Sequence, residues 1–177
     1  MRKLKNSELN RLSIEEFKEV PKLPVVVVLD NIRSLNNIGS VFRTSDAFLL
    51  EKIYLCGITA QPPHRDIHKT ALGATESVEW EYMEDTLDCV EKLQKDGYHC
   101  LAIEQAEHSL MLDKFDSTQH DKIAVVFGNE VKGVQQSVID KCDHCIEIPQ
   151  LGTKHSLNIS VSAGVVLWEL FRSRVGW

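Results

Sequence analysis

Ile123-Ala-Val-Val-Phe-Gly-Asn-Glu130, followed by Ile146-Glu-Ile-Pro-Gln150 and then Ser156-Leu-Asn158, is the stretch on which the fold turns. The run 123–127 is apolar without a break, the mark of a strand buried on both faces of a parallel sheet. It stops abruptly in Gly128-Asn-Glu130, and a second strand, over 145–148, stops in Pro149-Gln150. Such ends expose backbone and polar side chains at the carboxyl edge of a sheet, where open α/β folds bind ligands. Asn37-Ile-Gly-Ser-Val-Phe-Arg43 repeats the form: it follows the apolar run Val25-Val-Val-Val-Leu29 and lies in a helix.

The rest of the chain extends this alternation. Ser13-Ile-Glu-Glu16 fits a capping box, which predicts a short helix over 14–19. Strands are predicted at 25–29, 52–56, 78–82, 98–103, 123–127 and 145–148. Helices are predicted at 38–49, 64–72, 85–95, 134–141 and 156–174. Asn36 or Asn37 is the expected N-cap of the helix over 38–49. Strands alternating with helices predict an α/β fold with a mostly parallel sheet flanked by helices. The 177 residues fit one domain. Residues 1–22 read as a basic, partly helical arm and 23–177 as the body.

Composition narrows the function. Apolar residues make up 43% and charged residues 26%, enough for a real core with an ordinary surface. No apolar run approaches the roughly 20 residues of a membrane span. The N-terminus is basic without an apolar signal core, so a cytoplasmic protein is expected. Five scattered cysteines do not form a disulfide framework. Cys142-Asp-His-Cys145 is a single close pair, and a zinc site needs about four ligands, so no metal is expected. The net charge of −6 counts against a nucleic-acid partner. Local basic residues, Arg33, Arg43, Arg65, Lys69, Lys132 and Lys154, nonetheless lie beside the polar elements.

Familiar cofactor motifs are absent. The first strand runs into a segment with one glycine, not G-x-G-x-x-G, and Gly128-Asn-Glu-Val-Lys-Gly133 lacks the Lys-Ser/Thr of a phosphate loop. Gly128 lets a ligand approach the backbone, and Asn129 and Glu130 can accept from its donors; a plain Asx turn explains the same residues. Ser156 and Asn158 open a helix either as caps or as ligand contacts. Ser160 to Gly164 are small, and a mid-helix glycine costs roughly 1 kcal/mol relative to alanine. Another backbone, a second subunit or a ligand is therefore expected against that face. Arg43 lies two steps of three from Asn37 and so is expected near its face. It is either a surface residue or a phosphate anchor.

Taken in order, Asn37-Ile-Gly-x-x-x-Arg43, Val125-Val-Phe-Gly-Asn-Glu-x-x-Gly133 and Ile148-Pro-x-x-Gly-x-x-x-Ser156-Leu-Asn158 resemble the SpoU (TrmH-type) family of RNA ribose 2′-O-methyltransferases, of the SPOUT class. Lys69-Thr-Ala-Leu-Gly-Ala74 is similar to the family's Gly-Ala segment. The resemblance implies a C-terminal deep trefoil knot, S-adenosylmethionine as cofactor, RNA as substrate and a homodimer with its sites near the interface. By carry-over, Glu104, Phe127, Gly128, Ile148, Gln150 and Leu157 would bind the cofactor. Asn37, Arg43, Glu130, Ser156 and Asn158 would line the reaction centre. The family's equivalent of Arg43 is proposed as general base; because arginine normally stays protonated, phosphate anchoring is the safer assignment. Gln150 replaces a usual methionine and Ser162 a common alanine. The short basic arm favours tRNA, with rRNA as the alternative substrate and a non-catalytic RNA-binding module as the alternative function.

Overall fold

Runs of β-branched residues form the strands of this protein, and amphipathic segments between them form the helices. The elements are Ile14–Glu19 (α1), Leu23–Asp30 (β1), Leu35–Ala47 (α2), Leu50–Cys56 (β2), Arg65–Ala71 (α3), Ala74–Ser77 (α4), Glu79–Met83 (β3), Thr86–Lys95 (α5), His99–Ile103 (β4), Leu110–Met111 (β5), Ile123–Phe127 (β6), Gln136–Lys141 (α6), His144–Glu147 (β7) and Ile159–Val175 (α7). The computed structural model describes residues 1–176, so the last residue of the body expected over 23–177 lies outside it. The seven strands form one sheet in the order β3-β2-β1-β6-β4-β7-β5, and every pairing is parallel. β6 enters between β1 and β4, and β7 between β4 and β5. That order is compatible with the C-terminal knot implied by the resemblance.

Alternation along β1 builds two cores. Val25, Val27 and Leu29 face one side, with Ile53, Leu55, Val125 and Phe127, and pack under α2, α3 and α7. Val26 and Val28 face the other, with Tyr54, Cys100 and Val126, and pack under α5 and α6. Each such side chain contributes about 1.5–3 kcal/mol when fully buried. Phe17 of α1 joins the first core, so the arm is docked at that point. Both bonds of its capping box form: Glu16 N–H donates to Ser13 Oγ at 3.2 Å, and Ser13 N–H to Glu16 Oε2 at 2.8 Å.

Element ends differ from expectation where a side chain takes over a backbone donor. The N-cap of α2 is Ser34, whose Oγ accepts from Asn37 N–H at 3.3 Å. Asn37 therefore lies inside the helix and is buried. α7 begins at Ile159, after Ser156, because Asn158 Oδ1 accepts from Ser160 N–H at 2.9 Å. α6 begins late because the N–H groups of Val134 and Gln135 are drawn to the carboxylates of Glu104 and Asp30. β5 and α4 were not legible; two and four residues are too few to carry a period.

Three histidines meet at the amino ends of β4, β6 and β7. His99 Nε2 lies 2.9 Å from His144 Nδ1, and the His99 and His120 rings stack at 3.7 Å between centroids. Asp143 is 3.9 Å from His99 Nδ1. Burial holds His99 below its ordinary value, His120 and His144 push the same way, and Asp143 opposes them. The unfolded chain therefore takes up this proton first as pH falls through about 6.5, and stability declines below that point. The urea midpoint should fall between about pH 7 and pH 5, with His99→Gln flattening the decline. An unchanged slope in that variant would contradict this account.

Candidate active site

Glu130 ties three distant segments together at the carboxyl edge of the sheet. Its Oε2 accepts from Arg33 N–H at 3.0 Å, and its Oε1 accepts from Ser34 N–H at 2.9 Å and Asn37 Nδ2 at 3.2 Å. Asn37 Oδ1 then accepts from Asn158 Nδ2 at 3.3 Å. Asn158 caps α7, so the relay joins the loop after β6, the start of α2 and the start of α7. Burial alone would raise the Glu130 carboxyl, but the N–H donors of Arg33 and Ser34 and the Asn37 amide hold it below its ordinary value. It is an ionised acceptor already engaged, and a poor base.

The loop after β6 is closed on itself. Asn129 N–H donates to Gly133 O at 3.0 Å, and Gly133 N–H returns to Asn129 O at 2.8 Å. Asn129 Oδ1 accepts from Val131 and Lys132 N–H, while its Nδ2 donates to Asn31 O at 2.7 Å. Asn129 thus makes the turn, and its side chain is not aimed at a ligand. Gly128 is required by close approach, because a Cβ there would lie 2.1 Å from Gly133 C and Val134 N. Glu104, at the end of β4, braces the same loop: its Oε2 accepts from Val134 N–H at 3.1 Å and its Oε1 from Gln105 N–H at 2.9 Å.

The segment after β7 is the opposite case. No backbone N–H from Ile148 to Leu157 donates to another described residue. Among the described residues one hydrogen bond anchors it, Gln105 Nε2 donating to His155 O at 2.6 Å. Ile148 packs against the core, whereas Leu151 and Leu157 are exposed. Unpaired amides beside exposed leucines, next to a strand end without a side chain at Gly128, make a cradle for a ligand with both polar and apolar parts.

Arg43 stands apart from the relay. It is exposed, and among the described residues its guanidinium has no hydrogen bond or ion pair. The expectation that it shares the face of Asn37 is corrected: six residues turn a helix to about 120° short of two full turns, so Asn37 points inward and Arg43 outward. Ser156 is also exposed and unbonded among the described residues. The chain thus brings Asn37, Glu130 and Asn158 into contact, and sets Glu104, Gly128 and Ile148 on the neighbouring strand ends of β4, β6 and β7. It does not join Arg43 or Ser156 to either group. Phe127 is buried at the end of β6, and Gln150 is half-buried after β7.

Residues 24–168 match the model of the SpoU rRNA methylase family. The chain belongs to that family. A TrmH family tRNA/rRNA methyltransferase of Staphylococcus haemolyticus is 30% identical over 161 residues, 91% of this chain and 64% of that protein. The chain therefore spans just under two thirds of that relative's length. Among solved structures, the A. aeolicus TrmH/SpoU tRNA modifying enzyme has the same fold, with a TM-score of 0.82 and 24% identity over 92% of this chain and 81% of the other. An AdoMet-bound rRNA methyltransferase from Sinorhizobium meliloti has a TM-score of 0.80 and 24% identity, covering 90% of this chain and 60% of that one. Among the described residues of this family member, no helix is long and apolar enough to cross a membrane. Nor is any group of three or more His, Cys, Asp or Glu placed to hold a metal ion.

This SpoU-family chain also uses a residue that its motifs did not flag. Asp30 ends β1 fully buried. Its Oδ1 accepts from Thr86 Oγ1 at 2.7 Å, Asn31 Nδ2 at 2.8 Å and Gln135 Nε2 at 2.8 Å, and its Oδ2 from Gln135 N–H at 3.0 Å. It fastens the starts of α5 and α6 to the strand behind the site. A carboxylate ending an unbroken apolar run was the signal available in the sequence. Asp30→Ala leaves the buried Thr86 hydroxyl and the part-buried donors of Asn31 and Gln135 without their acceptor and should cost about 1–3 kcal/mol in urea unfolding. A loss below about 1 kcal/mol would contradict this role.

Proposed function

We propose that this chain is an S-adenosylmethionine-dependent RNA methyltransferase acting on a ribose 2′-hydroxyl, with tRNA favoured and the cytoplasm as its compartment. The observation that carries the reading is the fixed Glu130–Asn37–Asn158 relay, with a loop of unpaired amides after β7 and a free guanidinium further along α2. The AdoMet-bound neighbour of the same fold and the tRNA/rRNA methyltransferase relative support it. When bound, the cofactor supplies an electrophilic methyl group on a sulfonium. Gly128, Ile148, Gln150 and Leu157 would hold it against the end of Phe127, using backbone groups of the 148–157 loop. Glu104 contributes by bracing Gly128 through the loop at Val134.

Arg43 anchors the phosphate beside the target ribose with its planar donor fork. A guanidinium offers donors only, so it stabilises the negative charge that develops on the attacking 2′-oxygen, and that hydroxyl's proton passes to solvent. Asn37, Glu130 and Asn158 position the start of α7, and Ser156 is free to orient Arg43 or the ribose. RNA needs a basic face, and the net charge of −6 hides one. Lys52, Lys92, Lys114, Lys141 and Arg172 are neutralised in ion pairs. Arg33, Arg43, Arg65, Lys69, Lys132 and Lys154 are exposed, and among the described residues their side chains have no carboxylate partner. Their charge stays available to phosphates.

A homodimer belongs to the same proposal. Val161, Val165 and Trp168 form an exposed apolar stripe on α7, Trp168 being 44% exposed. A Cβ on Gly164 would meet nothing within 4 Å, so the small-residue face is free in the single chain and open to a second copy. The division into an arm over 1–22 and a catalytic body is part of this reading. Calorimetry with S-adenosylmethionine, followed by transfer of a labelled methyl group to tRNA and rRNA transcripts, tests it. Saturable cofactor binding with transfer to tRNA is expected. Binding of RNA without cofactor binding would leave a non-catalytic module.

A further inference from the structure

The loop between β2 and α3 holds a second cavity that the relay does not use. It has a volume of about 480 Å³, and Pro62, Pro63 and Trp80 form its apolar walls. That size lies within the range of sites for small organic ligands, roughly 300–1,000 Å³. Trp80 is half-buried and packs on the main core, so its ring is held in place. Arg65 and Glu76 also line the cavity. Both are exposed, and neither side chain has an ion-pair or hydrogen-bond partner among the described residues. An apolar slot with one free cation and one free carboxylate matches a nucleobase with its phosphate. The ring stacks on the aromatic and proline faces, an amino or imino N–H donates to the carboxylate, and the phosphate meets the guanidinium.

The place of the cavity fits that ligand. Helix α3 packs across α2 at Gly39, where a Cβ would lie 2.3 Å from Ile67 O. Arg43 follows Gly39 by four residues on α2 and therefore lies on a neighbouring face. Arg65 and Lys69, four residues apart on α3, are likewise exposed and without an ion-pair partner among the described residues. Because α3 packs on α2, a strand of RNA whose phosphate is held at Arg43 would meet the cations of α3 and the cavity next. We propose that the Pro62–Pro63–Trp80 cavity is a subsite for an unstacked base of the substrate RNA, flanking the nucleotide that is methylated. The subsite rests on the RNA reading above and adds a base-selective contact to it. Glu76 favours guanine, the base that offers adjacent imino and amino donors to a single carboxylate.

The test uses a single-stranded RNA pentanucleotide with central 2-aminopurine, titrated into the full chain while emission and anisotropy are followed. In the wild type, binding should quench the emission through stacking. Thr75→Trp, which fills the cavity from α4, should abolish the quench and weaken binding roughly five- to tenfold. Arg65→Glu, an exposed change that leaves the cavity open, should weaken binding by a similar factor and preserve the quench at saturation. S-adenosylmethionine affinity should be unchanged in both variants, which also reports that they fold. Equal quenching and equal affinity in Thr75→Trp would overturn the subsite and leave the RNA reading standing. Absence of pentanucleotide and transcript binding by the wild type would overturn both. A change in sedimentation with Thr75→Trp at unchanged RNA affinity would assign the cavity to protein contact and overturn the subsite.

Discussion

Replacing Arg43 with alanine should lower methyl transfer to RNA by about 10²–10³-fold, the usual effect of removing one preorganised donor from a developing oxyanion. S-adenosylmethionine affinity should not change. The reason is where the side chain stands. Arg43 is exposed on α2, unpaired among the described residues, and apart from the loops after β6 and β7. It supports neither the relay nor the packing, so its loss removes charge and leaves the fold intact. Arg43→Lys should recover only part of the rate, because an ammonium is a point charge and lacks the planar fork. Single-turnover rates with saturating cofactor, together with calorimetry, separate the outcomes. Wild-type turnover in the alanine variant would remove Arg43 from the chemistry.

The second large effect concerns the backbone. Gly128→Ala should cost about 3 kcal/mol or more, at the upper end of overpacking penalties, and should abolish cofactor binding. Its Cβ would sit 2.1 Å from two backbone atoms, Gly133 C and Val134 N, which have no rotamer with which to move away. The loop is pinned from the far side as well, by the paired bonds of Asn129 with Gly133 and by Glu104 on Val134. Gly133→Ala should cost less, about 1–2 kcal/mol: φ there is +69°, and the atom its Cβ would meet, Glu104 Oε2, is the movable end of a side chain. Gly152→Ala is the control for stability, because a Cβ there meets nothing within 4 Å. Equal urea midpoints for Gly128→Ala and Gly152→Ala would refute the close-packed loop.

Much of this arrangement was legible in the sequence because it is local. The unbroken run Ile123–Phe127 and the capping-box helix Ile14–Glu19 appear with the bounds their patterns predict. The parallel sheet follows from apolar runs separated by helical segments. Local signals failed where a cap competes with a periodic stripe, as at Ser34, which starts α2 earlier than Asn36 or Asn37 would. They also failed for contacts between distant residues. Asn37 and Glu130 are 93 positions apart, and Asn37 and Asn158 are 121 apart. Their motifs can be recognised singly, but only the fold reveals that the three side chains bond to one another. Asn129 is the converse: its place in a motif suggested a ligand contact, and its side chain is spent on the turn and on Asn31 O. Net charge is a blunt guide for a related reason, since a total does not record which cations are already paired.

The central proposal is that this chain methylates an RNA ribose 2′-hydroxyl while Arg43 holds the neighbouring phosphate. Mass-spectrometric nucleoside analysis of tRNA and rRNA, from cells with and without the gene, tests it most directly. The account predicts that one 2′-O-methylated nucleoside of tRNA disappears without the gene and returns with the wild-type protein but not with Arg43→Ala. Loss of a base-methylated nucleoside, or no change in either RNA, would contradict it.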